Sequence, residues 1–224
     1  MTNVVTRSDE SLSARLKSVT WDEHDRTNSA PFIVALMDGR LDRDAYAALL
    51  GQSYLFYREL ERAGDAWRSD PVVGPFVSDA LVRGPALEAD LAWLRGDGWR
   101  DELVPLPATQ RYTDRIRAVC FDSPSAFVAH HYTRYLGDLS GGQIVRSKLR
   151  NIYGLTSDGV RFYLFDQVPK PKVFKDGYRG LLDELRWDEP ERADLVAEVN
   201  LAFRLNRAVF DDLGDALEVD LAGS

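Results

Sequence analysis

The sequence contains a single cysteine, Cys120, together with only two methionines and three histidines among 224 residues. One cysteine excludes an internal disulfide and any site built from several thiolates, and we expect Cys120 to be a small buried apolar residue. No run of about 18 apolar residues is present, so we expect no membrane span. The net charge of −8 argues against a general nucleic-acid-binding or membrane-surface role, because both favour a basic face.

The two ends of the sequence carry no recognisable targeting signal. The N-terminal residues lack the apolar core of a signal peptide, and the C-terminal residues carry no anchor. We therefore expect a cytoplasmic protein without a membrane anchor. The length of 224 residues predicts one domain over residues 1–224, with flexible tails at 1–10 and 215–224.

Apolar residues recur at helical spacing in nearly every segment, and no convincing strand alternation is present. Leu12, Leu16 and Val19 open a first helix, and Asp42 is placed to cap a second. The predicted inner face of that second helix consists of Tyr46, Leu49, Leu50, Ser53, Tyr54, Tyr57 and Leu60. Further helices are predicted near 87–94, 109–119, 124–153 and 171–186, and from Pro190 onward. Ser123 is placed to cap the helix that begins at Pro124. The aromatic run at 162–165 could pass for a strand, but it is short and isolated. The predicted fold class is all-α.

The segment Ala129–Gln143, AHHYTRYLGDLSGGQ, places three glycines inside a predicted helix. Each interior glycine costs a helix roughly 1 kcal/mol relative to alanine, so three glycines require a reason. Gly137 and Gly141 share one helix face because they are four residues apart, and Asp138 lies beside that strip. Close helix packing would explain a pair of small residues, but it explains neither Gly142 nor the adjacent acid. A strip without side chains beside a carboxylate is suited to a flat ligand.

The three histidines lead to different expectations. His24 follows Lys17 by seven residues, so helical geometry places both side chains on one face about 10 Å apart. That spacing could serve a planar cofactor bound at its metal by His24 and at an edge carboxylate by Lys17, although most lone helical histidines are surface or core residues. His130 and His131 point about 100° apart and cannot ligate one metal from one face. We expect a structural role for His130 and exposure for His131.

Basic residues gather in two places despite the acidic balance of the chain. These residues are Arg146, Lys148 and Arg150 after the glycines, and Lys170, Lys172, Lys175 and Arg179 after Pro169. Lys175 and Arg179 are four residues apart and could hold an anionic group. The alternative is a solvated helix face.

Taken together, these residues resemble the haem oxygenase family. The segment Tyr132–Gln143 is similar to the signature of that family almost letter for letter. Further similar blocks are HDRTNSAPFI at 24–33, RYTDRI at 111–116, VFKDGYR at 173–179 and AFRLN at 202–206. The resemblance covers residues 12–213 and implies an all-α fold in which haem lies between a proximal helix and a kinked distal helix.

The resemblance also implies roles for individual residues. His24 matches the axial ligand of the iron of haem b, which would be both substrate and cofactor. Gly137 and Gly141 match the glycines whose backbone crosses the distal face, and Asp138 matches the carboxylate that organises distal water. Tyr57 and Arg134 match residues of the same hydrogen-bonded network. The other haem-binding residues that the resemblance implies are Lys17, Tyr132, Lys175 and Arg179 around the propionates, and Phe203 and Asn206 in the AFRLN block.

One position departs from the family pattern. The residue four after the histidine is often glutamate in relatives and is Asn28 here. A carboxylate bonded to the second ring nitrogen raises imidazole basicity, and an amide does so less.

The reaction implied by the resemblance is O₂- and electron-dependent cleavage of haem at the α-meso carbon, giving biliverdin, ferrous iron and CO. No strand followed by a GxGxxG motif is present, so electrons would come from a separate ferredoxin or flavoprotein reductase. The predicted docking region for that donor is the basic set Arg146, Lys148, Lys170 and Lys172. The alternatives are a non-catalytic haem-binding or haem-buffering protein, and an all-α interaction module that shares only the fold.

Overall fold

The computed structural model describes residues 10–217, which contain eleven α-helices, three 3₁₀ turns and one π-helical turn. The α-helices are α1 (Leu12–Val19), α2 (Trp21–Asn28), α3 (Pro31–Met37), α4 (Arg43–Trp67), α5 (Gly84–Arg95), α6 (Trp99–Glu102), α7 (Pro107–Val119), α8 (Pro124–His131), α9 (Gly137–Tyr153), α10 (Pro171–Glu184) and α11 (Glu189–Ala216). The 3₁₀ turns span Gly74–Phe76, Asp79–Leu81 and Arg161–Tyr163, and the π-helical turn spans Tyr132–Leu136. No strand occurs within residues 10–217, so the predicted all-α class is confirmed.

Side-chain caps fix where the long helices begin. Asp42 accepts a hydrogen bond from the Ala45 backbone N–H at 2.9 Å, and Ser123 caps α8 in the same way, as predicted for both. Asp188 starts α11 through a capping box with Glu191. These caps satisfy backbone donors that the first turn of a helix leaves without partners.

The core forms around α4, which packs against α5, α7, α8 and α11. The whole predicted inner face of α4 is buried, which confirms the helical periodicity. Cys120 is also fully buried, as expected for a small apolar residue. Helix α9 lies at one side of this core, next to α3 and α10.

Several elements differ from the sequence-based expectations. Helices α3 and α6 were not predicted, because seven and four residues are too few for a clear period. The aromatic run at 162–165 begins in a 3₁₀ turn, where the buried Asp90 carboxylate accepts the N–H groups of Arg161 and Phe162 at 3.0 and 2.8 Å. Burial raises the pKa of Asp90 to about 6, although these backbone hydrogen bonds lower it.

The expected exposure of His131 is wrong. Its side chain is buried, and its Nδ1 lies 2.9 Å from the hydroxyl oxygen of Tyr178 on α10. The two rings stack with a centroid distance of 5.7 Å. Helix α10 therefore buries a side chain that the local sequence predicts to be exposed. Burial lowers the pKa of His131 to about 3. His130 is buried as well and bonds to Glu198, which fits its expected structural role.

The predicted tails at 1–10 and 215–224 lie almost entirely outside the described residues, although α11 continues to Ala216. Among the helices between residues 10 and 217, none is long and apolar enough to cross a membrane.

Candidate functional site

A cleft of about 890 Å³ opens beside α2, α9 and α11. Its lining includes His24 from α2 and Gly137, Asp138 and Gly141 from α9. Its apolar lining includes Ile33, Leu49, Val145, Phe162, Phe203 and Phe210. Apolar walls with a few convergent polar groups are typical of small-molecule sites.

A second groove, of about 830 Å³, shares His24 and Gly137 with this cleft and extends it along α1. Its lining includes Lys17 from α1, Tyr132 from the π-helical turn and Arg179 from α10. Three of the four residues expected around ligand carboxylates therefore meet at one end of the cleft. The fourth of these residues contacts α9.

That fourth residue is Lys175, whose Nζ donates to the Ser140 hydroxyl at 3.0 Å. Burial and the nearby Arg179 charge lower the pKa of Lys175, while Asp176 raises it. Arg179 itself pairs with Asp176 at 2.9 Å. The two basic side chains predicted to share a face thus lie beside α9, and each already has a polar partner.

The three glycines of α9 have two different surroundings. A Cβ added at Gly137 or Gly141 would meet no atom within 4 Å, so both glycines border open space. A Cβ at Gly142 would lie 3.0 Å from Cδ1 of the Tyr163 side chain. The view that packing does not explain Gly142 is therefore wrong, because its missing side chain makes room for Tyr163.

The helix predicted over 124–153 is interrupted just before the glycines. Residues Tyr132–Leu136 form a π-helical turn between α8 and α9. The Ser140 hydroxyl donates to the Leu136 carbonyl at 2.6 Å, immediately after this turn. Such turns are rare inside helices and occur frequently at functional sites. The helix predicted over 124–153 is thus irregular in the turn that directly precedes Gly137.

The His24 imidazole is half-buried and is contacted on several sides. The Asn28 side-chain nitrogen lies 3.1 Å from its Nε2 and 3.4 Å from its Nδ1. Trp21 stacks on the ring at a centroid distance of 5.4 Å, and Phe203 meets it edge-on at 5.8 Å. An imidazole at a cleft wall is a suitable axial ligand for a metal inside the cleft.

Asp138 is the centre of a buried polar network. The Tyr57 hydroxyl donates to Asp138 Oδ2, and the Arg134 guanidinium lies 3.7 Å from Asp138 Oδ1. Arg134 also donates to the Tyr57 hydroxyl oxygen at 3.2 Å and to Asn206 Oδ1 at 2.6 Å. The structure thus brings together four of the residues named from the sequence, on α4, α9, α11 and the π-helical turn.

Burial controls the ionisation of this network. It raises the pKa of Asp138, and this effect outweighs the lowering by Arg134 and by the Tyr57 hydrogen bond. Burial also raises the pKa of Tyr57. For Arg134, burial lowers the pKa, but Tyr57 and Asp138 more than offset it and the net pKa is raised. The carboxyl group therefore holds its proton more readily than an exposed aspartate does.

The basic residues expected to receive a partner lie outside both cleft linings. Lys148 and Lys170 are exposed, and Arg146 is half-buried. Lys172 forms an ion pair with Asp176 at 2.8 Å.

The sequence reasoning missed Trp21, which lines the groove between Lys17 and His24. Its position, four residues after Lys17 and three before His24, is the signal that could have identified it. It also missed Ser140, whose hydroxyl is the partner of Lys175. Its position three residues after Gly137, on the same helix face, is the corresponding signal.

Comparisons with known proteins agree on one family. The chain matches the family described as "Heme oxygenase" over residues 10–212. It is 35% identical over 206 residues to a heme oxygenase of Pyropia yezoensis, with 92% of this chain and 87% of the relative covered. Its structure is similar to that of heme oxygenase-1 from the cyanobacterium Synechocystis in complex with heme, with a TM-score of 0.87, 32% identity and coverage of 94% and 97%. Heme oxygenase-2 of Synechocystis, in complex with heme and NO, gives a TM-score of 0.88 at 32% identity, with 93% and 87% covered.

Proposed function

Because the chain belongs to the haem oxygenase family, we propose that the cleft beside α2 and α9 binds haem and cleaves it to biliverdin, ferrous iron and CO. One observation carries the proposal: a single cleft is lined by His24, the strip at Gly137 and Gly141, and the buried carboxyl group of Asp138. This combination matches the needs of a flat, metal-containing, redox-active substrate.

The residues of the cleft fit haem in three respects. The open space in front of Gly137 and Gly141 admits a planar group close to the backbone. His24 supplies a nitrogen ligand suited to haem iron. Lys17 and Arg179 offer positive charge where the groove continues, which suits the propionates.

Each protein group has a separate task. Bound haem would supply an iron centre that takes electrons and O₂. His24 would hold that iron, and the backbone at Gly137 and Gly141 would border the bound group. Asp138 lines the same cleft, and Tyr57 occupies its Oδ2. Oδ1 is therefore the oxygen placed to accept and return protons through water in the cleft.

Arg134 and Tyr57 keep this carboxyl group in place. Arg134 is bonded to Tyr57 and to Asn206, so its guanidinium cannot turn away from Asp138 without breaking two hydrogen bonds. A carboxyl group with a raised pKa and fixed neighbours accepts a proton more readily than an exposed aspartate does.

We propose that the basic end of the cleft fixes the rotation of the substrate and directs cleavage to the α-meso carbon. Lys17, Tyr132 and Arg179 line the groove there, and Lys175 is one helical turn from Arg179. Each exposed charge pair contributes only about 0.2–1 kcal/mol. Several such contacts suffice to select an orientation, since roughly 1.4 kcal/mol changes a population ratio tenfold.

Electrons would reach the cleft from a separate ferredoxin or flavoprotein. We propose that it docks near Arg146, Lys148, Lys170 and Lys172. The exposure of Lys148 and Lys170 and the positive charge of the set support this placement on an otherwise acidic protein. Turnover driven by an acidic ferredoxin should fall steeply with added salt, and more steeply than turnover driven by ascorbate.

The direct test reconstitutes the protein with hemin, adds a reductant under air, and identifies the products. We expect a Soret band, followed by α-biliverdin, CO and chelatable ferrous iron. The matched control is His24→Ala, which should bind hemin weakly, lose most turnover and recover part of it with added imidazole. A hemin complex of the wild-type protein that releases neither biliverdin nor CO would show that the protein only carries haem.

A further inference from the structure

Four side chains follow one face of the first two helices. Lys17, Trp21, His24 and Asn28 are separated by four, three and four residues. Thr20 separates the two helices, as the C-cap of α1 and the N-cap of α2. Lys17, Trp21 and His24 nevertheless line one groove, and Asn28 lines the adjoining cleft beside His24.

Trp21 holds one face of the His24 ring. The two ring planes are inclined by only 27° at a centroid distance of 5.4 Å, which is a stacked arrangement. Phe203 meets the same imidazole edge-on, with an interplanar angle of 88°. The Asn28 amide contacts the ring nitrogens. The imidazole is thus restrained by a stacked ring, an edge-on ring and an amide.

A packing role alone does not account for Trp21. Of its surface, 53% is exposed, although an indole is among the most hydrophobic surfaces a protein can present. In residues 10–217, the only aromatic ring within stacking distance of the indole is that of His24. The indole also lines the groove beside Lys17 and Arg179. Its position therefore relates to the cleft more than to the core.

We propose that Trp21 is a positioning residue that fixes the plane of the His24 imidazole, and this rests on the proposed function. A half-buried histidine in a helix rotates about its terminal torsion unless its neighbours prevent it. Stacking by Trp21 leaves one ring plane favoured before any ligand enters. An imidazole that is already held in its bound orientation loses less conformational freedom when haem binds. The affinity for haem and the orientation of the His24 ring therefore both depend on Trp21.

The test compares Trp21→Phe, which keeps an aromatic ring, with Trp21→Leu, which keeps apolar bulk without stacking. Trp93→Leu is the matched control, because Trp93 is 49% exposed and lies against Gly159, outside both cleft linings. The first readout is the rate of hemin release to excess apomyoglobin. The second is the g-value spread in EPR of the ferric hemin complex with azide, which depends on the plane of the axial imidazole.

We expect Trp21→Leu to release hemin about three- to tenfold faster and to shift the g-values. Trp21→Phe and Trp93→Leu should match the wild type within about twofold. Unchanged g-values in Trp21→Leu, or equal effects in the Phe and Leu variants, would overturn the positioning role. A wild-type protein that forms no hemin complex would overturn the proposed function itself. Thermal unfolding of the hemin-free variants confirms that each is folded.

Discussion

Two buried carboxyl groups of this protein have similar partners and pKa shifts of opposite direction. Asp138 lies beside Arg134 and accepts a hydrogen bond from Tyr57, and burial raises its pKa. Glu198 lies beside Arg115 and His130. Burial raises the pKa of Glu198 too, but hydrogen bonds from His130 and Arg115 bring it down to about 2.

The geometry of the arginine contact accounts for the difference. Arg115 binds Glu198 in a bidentate manner, with N···O distances of 3.0 and 2.6 Å, and His130 adds a contact of 2.8 Å. Arg134 approaches Asp138 only to 3.7 Å and directs its hydrogen bonds elsewhere. A paired and bonded carboxylate keeps its charge, whereas a buried one without such bonds tends to hold a proton. Glu198 therefore joins α7, α8 and α11, while Asp138 has no bidentate arginine partner of this kind.

The largest expected effect follows from removing the carboxyl group of Asp138, for which we propose a role in proton exchange. Asp138→Asn keeps the size of the side chain and leaves an oxygen for the Tyr57 hydroxyl. We expect hemin binding near the wild-type level and biliverdin formation about 10²- to 10⁴-fold slower. Single-turnover kinetics of the hemin complex, with product identification, measure this. Biliverdin at the wild-type rate would remove Asp138 from the mechanism and erase the functional contrast with Glu198.

The reverse result is expected for Glu198→Gln. The substitution leaves His130 and Arg115 without a charged partner, so the free energy of unfolding at pH 7 should fall by about 2–3 kcal/mol. The rate of the folded hemin complex should stay within about threefold of the wild type. Urea unfolding measures the first quantity. Asp158→Asn, which breaks the exposed ion pair with Arg161, is the control and should cost less than about 1 kcal/mol. A Glu198→Gln variant as stable as Asp158→Asn would contradict the role of Glu198 in joining α7, α8 and α11.

The pH dependence of stability separates the two groups by sign. The folded pKa of Glu198, about 2, is below the model-compound value of 4.5, so its stabilisation is complete above pH 4.5 and is lost as pH falls toward 2. The folded pKa of Asp138 is above its model-compound value of 3.8, so its charge destabilises the fold at high pH, and that penalty disappears as pH falls. As the pH falls, the free energy of unfolding of the wild type should approach that of Glu198→Gln. Over the same range, it should rise relative to that of Asp138→Asn.

The smallest expected effect extends the contrast between cleft and core to the glycines of α9. Gly141→Ala should stabilise the hemin-free protein by about 0.5–1 kcal/mol, because alanine favours helix and its Cβ enters open space. The same Cβ should weaken hemin binding. Gly142→Ala gains the same helix propensity but places its Cβ 3.0 Å from Tyr163, so its net stability should be lower than that of Gly141→Ala. Equal stability of the two variants would show that the Tyr163 side chain moves aside without a cost in folding free energy.

The sequence was sufficient for the parts of the molecule that follow local rules. The period of α4 and the caps at Asp42 and Ser123 are local, and the structure agrees with them. It was not sufficient where distant elements decide. The burial of His131 depends on Tyr178, 47 residues later, and the packing at Gly142 depends on Tyr163.

Within the site, the family signature supplied the residues, and the structure supplied their relations. The hydrogen bonds of Arg134 to Tyr57 and Asn206 span 77 and 72 residues, so spacing could not reveal them. Trp21 was missed although its spacing is helical, because nothing local distinguishes an indole that stacks on a histidine in a cleft from one that covers a core.

The π-helical turn at Tyr132–Leu136 changes the direction in which side chains point around the helix axis between α8 and α9. An α-helix advances about 100° per residue. A π-helical turn advances by a smaller angle per residue, so the side chains after it are rotated about the helix axis relative to those of an uninterrupted α-helix. A helix of uniform pitch presents a single stripe to its surroundings. Here the residues before the turn keep their own orientation, with His130 directed to Glu198. The residues after it take a second orientation, with Gly137 and Gly141 directed to the cleft. The continuous helical segment from α8 to α9 therefore directs one set of residues toward Glu198 and the core, and a second set toward the cleft.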